Sequence, residues 1–123
     1  MVEHSVVSVV DDDESMREAL PDLLRELGHA VQAFSSAEQF LASNYADQSK
    51  CLILDIAMPD MSGPDLQREL ASRGYKIPII FITALADEKV RPRLIALGAV
   101  ECLHKPFSDA ALQDALDIAL RVS

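Results

Sequence analysis

Four places in the chain carry side chains able to act together on one substrate: the acid run Asp11-Asp12-Asp13, a lone Asp55 in LILDIAMPD, Thr83 at the end of IIFIT, and Lys105 in HKPF. Each follows a short apolar, β-branched run. An acid run alone is usually a solvated turn, but Asp55 closes a strand-like segment where an ordinary loop would need no charge. Strand faces alternate, so Asp11, Asp12 and Asp13 cannot all point inward. Two carboxylates held about 5 Å apart repel by roughly 3 kcal/mol at an effective dielectric of about 20. Gathering them destabilises the fold or keeps one protonated unless a cation sits among them. Hard oxygen donors with few protein ligands suit Mg²⁺, which retains waters and leaves room for a phosphate oxygen. A carboxylate nucleophile, an ammonium and a hydroxyl for developing phosphoryl charge would complete a phosphoryl-transfer set.

These residues converge only if the elements carrying them do. Strand-type runs fall at residues 5–10, 29–34, 51–55, 77–83 and 100–104, and helical periodicity at 16–27, 36–42, 65–73, 89–97 and 109–122. Ser15 and Ser108 stand where N-caps belong, and Gly28, Gly74 and Gly98 where helices stop. Strand alternating with helix, the strands too continuously apolar for a wet face, predicts a parallel sheet covered on both sides. Ligands of such sheets bind beyond the carboxyl ends of the strands, where strand order reverses. Two prolines strain the scheme. Pro21 is expected to bend the first helix, and Pro92 to start the fourth helix late, leaving 86–91 as loop.

The length of 123 residues fits one domain, 1–123, without disulfides or structural metal. A net charge of −9 disfavours nucleic acid and anionic membranes, so a cation or basic partner is expected. No apolar run approaches the roughly 18 residues of a spanning helix, and no leader pattern opens the chain, so a cytoplasmic protein is expected. Cys51 and Cys102 read as reduced, buried thiols. His4, His29 and His104 are scattered and make no metal cluster.

Taken in order, VVDDDE at 9–14, LDIAMPDMSG at 54–63, FITA at 81–84, GA at 98–99 and KPF at 105–107 resemble the receiver (CheY-like) domain of a two-component response regulator, most closely the FixJ/NarL type. The resemblance spans essentially the whole chain. It implies a flavodoxin-like (βα)5 three-layer sandwich with a five-stranded parallel sheet in the order 2-1-3-4-5. It further implies that Asp55 is phosphorylated by a histidine kinase, that Asp12 binds Mg²⁺ directly, that Asp11 holds the waters of the ion, and that the Ala57 carbonyl completes the protein ligands. Asp55 itself belongs to the metal set. Lys105 would pair with the phosphoryl group, Thr83 would move to bond it, and the Lys105-Pro106 bond would be cis. Expected partners are the kinase and a downstream protein or an output domain beyond Ser123, with a phosphorylation-dependent dimer among the outcomes.

The sequence also departs from that family. The switch position three residues before the lysine is usually Tyr or Phe and here is Cys102, whose thiol has far less area to bury. A muted or differently routed change on the face of the fourth helix, fifth strand and fifth helix is expected. Ala57 and Leu85 occupy positions that tune hydrolysis in the family, and neither orients water, so slow loss of phosphate is expected. A haloacid-dehalogenase-type phosphatase is disfavoured because Ala57 stands where its general acid would be. The intact acids, Thr83 and Lys105 argue against a vestigial interaction module. A Cys51–Cys102 redox pair would need strands three and five closer than the roughly 9.6 Å that an intervening strand imposes.

Overall fold

The computed structural model describes residues 6–84 and 89–121. Ser5, His4, Leu85, the loop positions 86–88 and Val122 therefore lie outside the described residues. Five strands, β1 (Val6–Val10), β2 (Ala30–Phe34), β3 (Ser49–Asp55), β4 (Ile79–Thr83) and β5 (Glu101–His104), form a parallel sheet in the order β2-β1-β3-β4-β5. The helices are α1 (Glu14–Glu26), α2 (Ala37–Ala42), α3 (Gly63–Ser72), α4 (Val90–Ala96) and α5 (Asp109–Arg121), with a 3₁₀ turn at Tyr45–Asp47. The flavodoxin-like arrangement expected from sequence is the one observed.

The three central strands are almost wholly buried, whereas β2 and β5 at the edges alternate or fray toward solvent. Alternate residues of each central strand feed two cores. On one face Val10, Leu52, Leu54 and Phe81 pack with Phe40 of α2, Leu66 and Leu70 of α3 and Leu94 of α4. On the other, Val7, Val9, Ile53, Ile80 and Ile82 pack with Leu20 and Leu24 of α1 and Leu112 and Leu116 of α5. Cys51 belongs to the second core and Cys102 to the first, so the sheet itself separates the two free thiols. Burial pushes the Cys51 thiol up to about 12, where it stays protonated.

Several element ends differ from expectation for local reasons. Asp13, not Ser15, caps α1: its backbone is extended and its Oδ1 accepts from the Ser15 amide at 2.9 Å. Ser36 and Ser108 each accept from the amide three residues on. β3 begins two residues early because the Ser49 hydroxyl is satisfied while buried, lying 2.6 Å from Ser8 Oγ and donating to the Tyr45 carbonyl. α3 also starts early, with a capping box between Ser62 and Asp65 and Pro64 in its first turn. α4 begins at Val90 rather than at Pro92. Pro92 sits in its first turn, where no intrahelical amide is needed, so 90 and 91 are helix and not loop. α1 runs through a buried Pro21 to Glu26. Gly28, Gly74 and Gly98 all end helices at positive φ.

Gly63 has a different reason to be glycine. Its amide donates to the Ile56 carbonyl at 2.9 Å, which seats the start of α3 against the end of β3. A Cβ there would run into the Asp55 carbonyl oxygen and come within 3.0 Å of Phe81 Cε1. Gly63→Ala is therefore expected to destabilise the protein by about 1–3 kcal/mol, the usual cost of overpacking. Urea unfolding would register it as a lower midpoint at constant m-value; an unmoved midpoint would mean that α3 yields freely at this contact.

Candidate functional site

The register of the sheet decides which side chains meet. Val10 lies opposite Leu54, so Asp11 and Asp55 leave the sheet side by side at the break between β1 and β3, where strand order reverses. Asp55 lies opposite Ile82, and Thr83 is the next residue of β4. Thr83 pairs with His104, and the Lys105 amide then donates to the Thr83 carbonyl at 2.7 Å, which carries the lysine over the same rim. The Lys105-Pro106 bond is cis.

The acid run divides its duties as strand alternation requires. Asp11 is fully buried, Asp12 is exposed, and Asp13 is exposed and spent on the cap of α1. Asp11 is held at several points: its amide donates to the Phe34 carbonyl at 3.1 Å, its Oδ1 accepts from the Asp13 amide at 2.9 Å, and its Oδ2 accepts from Lys105 Nζ at 2.9 Å. Among the described residues, Asp11, Asp12 and Asp55 form a group in which one carboxylate oxygen from each lies within 4.8 Å of the other two. At that spacing each ionised pair repels by about 3 kcal/mol at an effective dielectric near 20. Lys105 Nζ lies 3.9 Å from Asp55 Oδ2 while bonded to Asp11, so one ammonium serves two carboxylates.

One ammonium does not neutralise the group. Burial first, and then the negative charge of Asp11, push Asp55 up to about 7, with Lys105 opposing them. A carboxyl that holds its proton near neutrality because it is buried and has an anion beside it marks a place where added positive charge is favourable. All-oxygen donors with one member open to solvent fit a hard divalent cation that keeps part of its hydration.

The remaining sequence candidates fall outside this cluster or at its margin. Ala57 is exposed in the loop after β3. Cys102 faces the core beneath α2, α3 and α4, and burial raises its thiol above the ordinary value. His29 and His104 lie far apart in the fold, at the start of β2 and the end of β5. Beside Lys105, a cavity of about 350 Å³ opens between α1 and the segment after β5, lined chiefly by Met16, Leu20, Leu23, Pro106 and Phe107. Two residues bearing on the site had no role in the sequence reading. Gly63 abuts Asp55, and Arg17 donates from Nη1 to the Asp11 carbonyl at 2.9 Å. A glycine opening a helix rather than ending one was the available signal for the first; for the second, nothing short of the folded turn places its guanidinium.

The response regulator receiver domain family matches residues 7–117 of the chain. The response regulator protein TodT of Pseudomonas putida is 43% identical over 119 residues, which are 97% of this chain and 52% of that protein. The transcriptional regulatory protein FixJ of Rhizobium meliloti is 38% identical over 113 residues, 92% of this chain and 55% of its own length. The chain thus spans about half the length of these curated relatives. Among solved structures, the response regulator StyR superposes with a TM-score of 0.88 at 43% identity, covering 99% of this chain and 61% of that one. The crystal structure of FixJ-N gives 0.84 at 37% identity, covering 94% and 93%. Taken with the strand order and the gathered carboxylates, these matches establish that the chain belongs to the response regulator receiver family, on its FixJ-like side, and is a receiver domain of two-component signalling.

Proposed function

We propose that residues 1–123 act as one phosphoacceptor unit in which Asp55 takes a phosphoryl group from the phosphohistidine of a histidine kinase, in a Mg²⁺-dependent reaction, and thereby changes how a partner or output segment binds. The observation that carries this reading is the meeting of three carboxylates within 4.8 Å with a lysine 3.9 Å from one of them. In the transfer, an Asp55 oxygen attacks phosphorus while the N–P bond of the donor breaks and its electron pair returns to the imidazole. Asp11, Asp12, Asp55 and the Ala57 carbonyl would hold the ion. Mg²⁺, when bound, supplies the positive charge that favours ionised Asp55 and offsets the phosphoryl oxygens.

This chain's own groups do the rest. Asp55 sits at the end of an almost wholly buried strand, which fixes the direction of attack. Lys105, a short swing from Asp55, pairs with the phosphoryl charge once it arrives. Thr83, buried at the end of β4, turns its hydroxyl to a phosphoryl oxygen and draws its loop with it. The apolar cavity beside Lys105 lies next to the path of a phosphohistidine and suits the seating of the kinase. Catalysis by the domain is confined to its own phosphorylation and dephosphorylation. A cytoplasmic setting accords with its kinase partner and its two free thiols; no described helix is long and apolar enough to cross a membrane. Nucleic acid contact is assigned to an output segment, not to this acidic unit, and dimer formation on phosphorylation remains part of the proposal.

The direct test is labelling by a small phosphodonor with and without Mg²⁺. Wild type is expected to take up close to one phosphoryl group per chain, and Asp55→Asn or chelated protein almost none; equal labelling of Asp55→Asn would overturn the assignment of the acceptor. Phosphate loss is a second readout. Ala57 offers no polar group to an attacking water, and the Ala57→Asn, Leu85→Asn double variant is expected to shorten the aspartyl-phosphate lifetime several-fold, whereas a lifetime indifferent to both changes would remove these positions from hydrolysis.

The raised Asp55 also makes stability depend on pH. Between about 4 and about 7 the folded protein keeps a proton that the unfolded chain has released, so in Mg²⁺-free buffer stability falls as pH rises through that window. Asp55→Asn should flatten this slope and be the more stable protein at pH 8, while differing little at pH 4. Urea midpoints at the two pH values give the answer, and parallel curves for the two proteins would contradict it.

A further inference from the structure

Asp11 is held through its amide and both carboxylate oxygens, but Asp12, the neighbour proposed to meet the ion directly, is exposed, and its direction depends on the backbone that carries it as well as on its contact with the Asp55 carboxyl. That backbone is the Asp11–Asp12 peptide. Its carbonyl accepts from Arg17 Nη1 at 2.9 Å, a part-buried contact that spans the turn between β1 and α1. Arg17 is itself fixed, since it sits in the opening turn of α1 and its amide donates to the Asp13 carbonyl at 3.1 Å. The guanidinium therefore ties the last peptide of the strand side to the helix, across the residue that must aim its carboxylate.

We infer that Arg17 is a positioning residue for the cation site, holding the Asp11 carbonyl so that Asp12 presents its carboxylate toward Asp55. The inference rests on the proposed Mg²⁺ role of Asp12. It assigns Arg17 no contact with the ion, the phosphoryl group or the donor. Removing the guanidinium frees the peptide to rotate, which misdirects Asp12 and also loosens the neighbouring bond from the Asp13 amide to Asp11 Oδ1. The loss belongs to ion affinity, not to the chemical step, because Asp55 stays on β3 and Lys105 stays bonded through its amide to the Thr83 carbonyl.

Calorimetric titration of Mg²⁺ into wild type, Arg17→Met and Arg17→Lys tests this, with amide exchange at Asp13 followed in the Mg²⁺-free proteins. Arg17→Met is expected to bind Mg²⁺ about tenfold more weakly, the scale of a charge-assisted bond to a part-buried carbonyl, and to exchange the Asp13 amide faster. Arg17→Lys, which keeps the charge but not the planar fork, should be about threefold weaker. In phosphodonor labelling the Mg²⁺ half-saturation of Arg17→Met should rise in step, with the rate at saturating Mg²⁺ within about twofold of wild type. Ser49→Ala, which removes a buried hydroxyl bonded to Ser8 and to the Tyr45 carbonyl at the end of β3 opposite Asp55, supplies a destabilised control whose Mg²⁺ affinity should not move. An Arg17→Met protein that loses stability as Ser49→Ala does but binds Mg²⁺ like wild type overturns the inference and leaves Arg17 a packing role. If Arg17→Met does not fold, an Arg17→Lys affinity equal to wild type overturns it instead. Wild type that binds Mg²⁺ without being labelled would remove the proposed function and leave the inference standing, whereas wild type that binds no Mg²⁺ would end both.

Discussion

Mutual repulsion among Asp11, Asp12 and Asp55 is the constraint around which the rest of the domain is arranged. Carboxylate oxygens within 4.8 Å of one another, one residue fully buried and another nearly so, would drift apart on any flexible scaffold. The fold prevents this by placing two of them at the ends of adjacent central strands whose registers are set by apolar side chains on both faces. Slipping either strand by one residue would send its apolar set to the wrong core. Hydrophobic burial thus holds in place an arrangement that electrostatics alone would scatter. Lys105 meets part of the cost through Asp11, and the proton retained by Asp55 meets another part.

The same logic explains why the supporting contacts are made by backbone groups. Asp11 accepts from an amide, Arg17 binds a carbonyl, Lys105 follows an amide-to-Thr83 bond, and the start of α3 is pressed against the Asp55 carbonyl at Gly63. The first holds a functional carboxylate itself, at Asp11 Oδ1, and the others fix peptide planes at strand ends. A site that must take an ion, then a phosphoryl group, and then release both is better served by a fixed frame than by fixed side chains.

Most of this frame was legible in the sequence because its strongest signals are local. The central strands declared themselves as unbroken apolar runs, and the polar residues ending them became site candidates for the same reason. Errors arose where two local signals competed or where a distant partner decided. Asp13 and Ser15 are both good caps, and the extended backbone at Asp13, itself fixed by Asp11, settled the choice. The strand expected at 51–55 starts at Ser49, whose buried hydroxyl finds a partner on another strand at Ser8. Pro92 read as a helix start, yet a first turn tolerates proline at more than one position. Arg17 and Gly63 could not be assigned from periodicity, because their roles depend on what the folded turn and the end of β3 bring opposite them.

The departure at Cys102 bears on how a change at Asp55 reaches the surface. A buried thiol in the core beneath α4 offers little area to gain or lose, so in the proposed function side-chain rotation at this position carries little of the signal. Beside that apolar packing, a polar contact links α4 and β5. Arg91, in the first turn of α4, donates from Nε and Nη2 to the two oxygens of Glu101 at 2.7 and 3.1 Å, and Glu101 Oε1 also accepts from the Cys102 amide at 2.9 Å. The fork geometry makes this pair stronger than the usual exposed ion pair, and Glu101 is only 21% exposed. β5 ends at His104, directly before Lys105. In the proposed function this clasp, rather than an aromatic ring, is the contact through which a change at Thr83 and Lys105 would pass between α4 and β5.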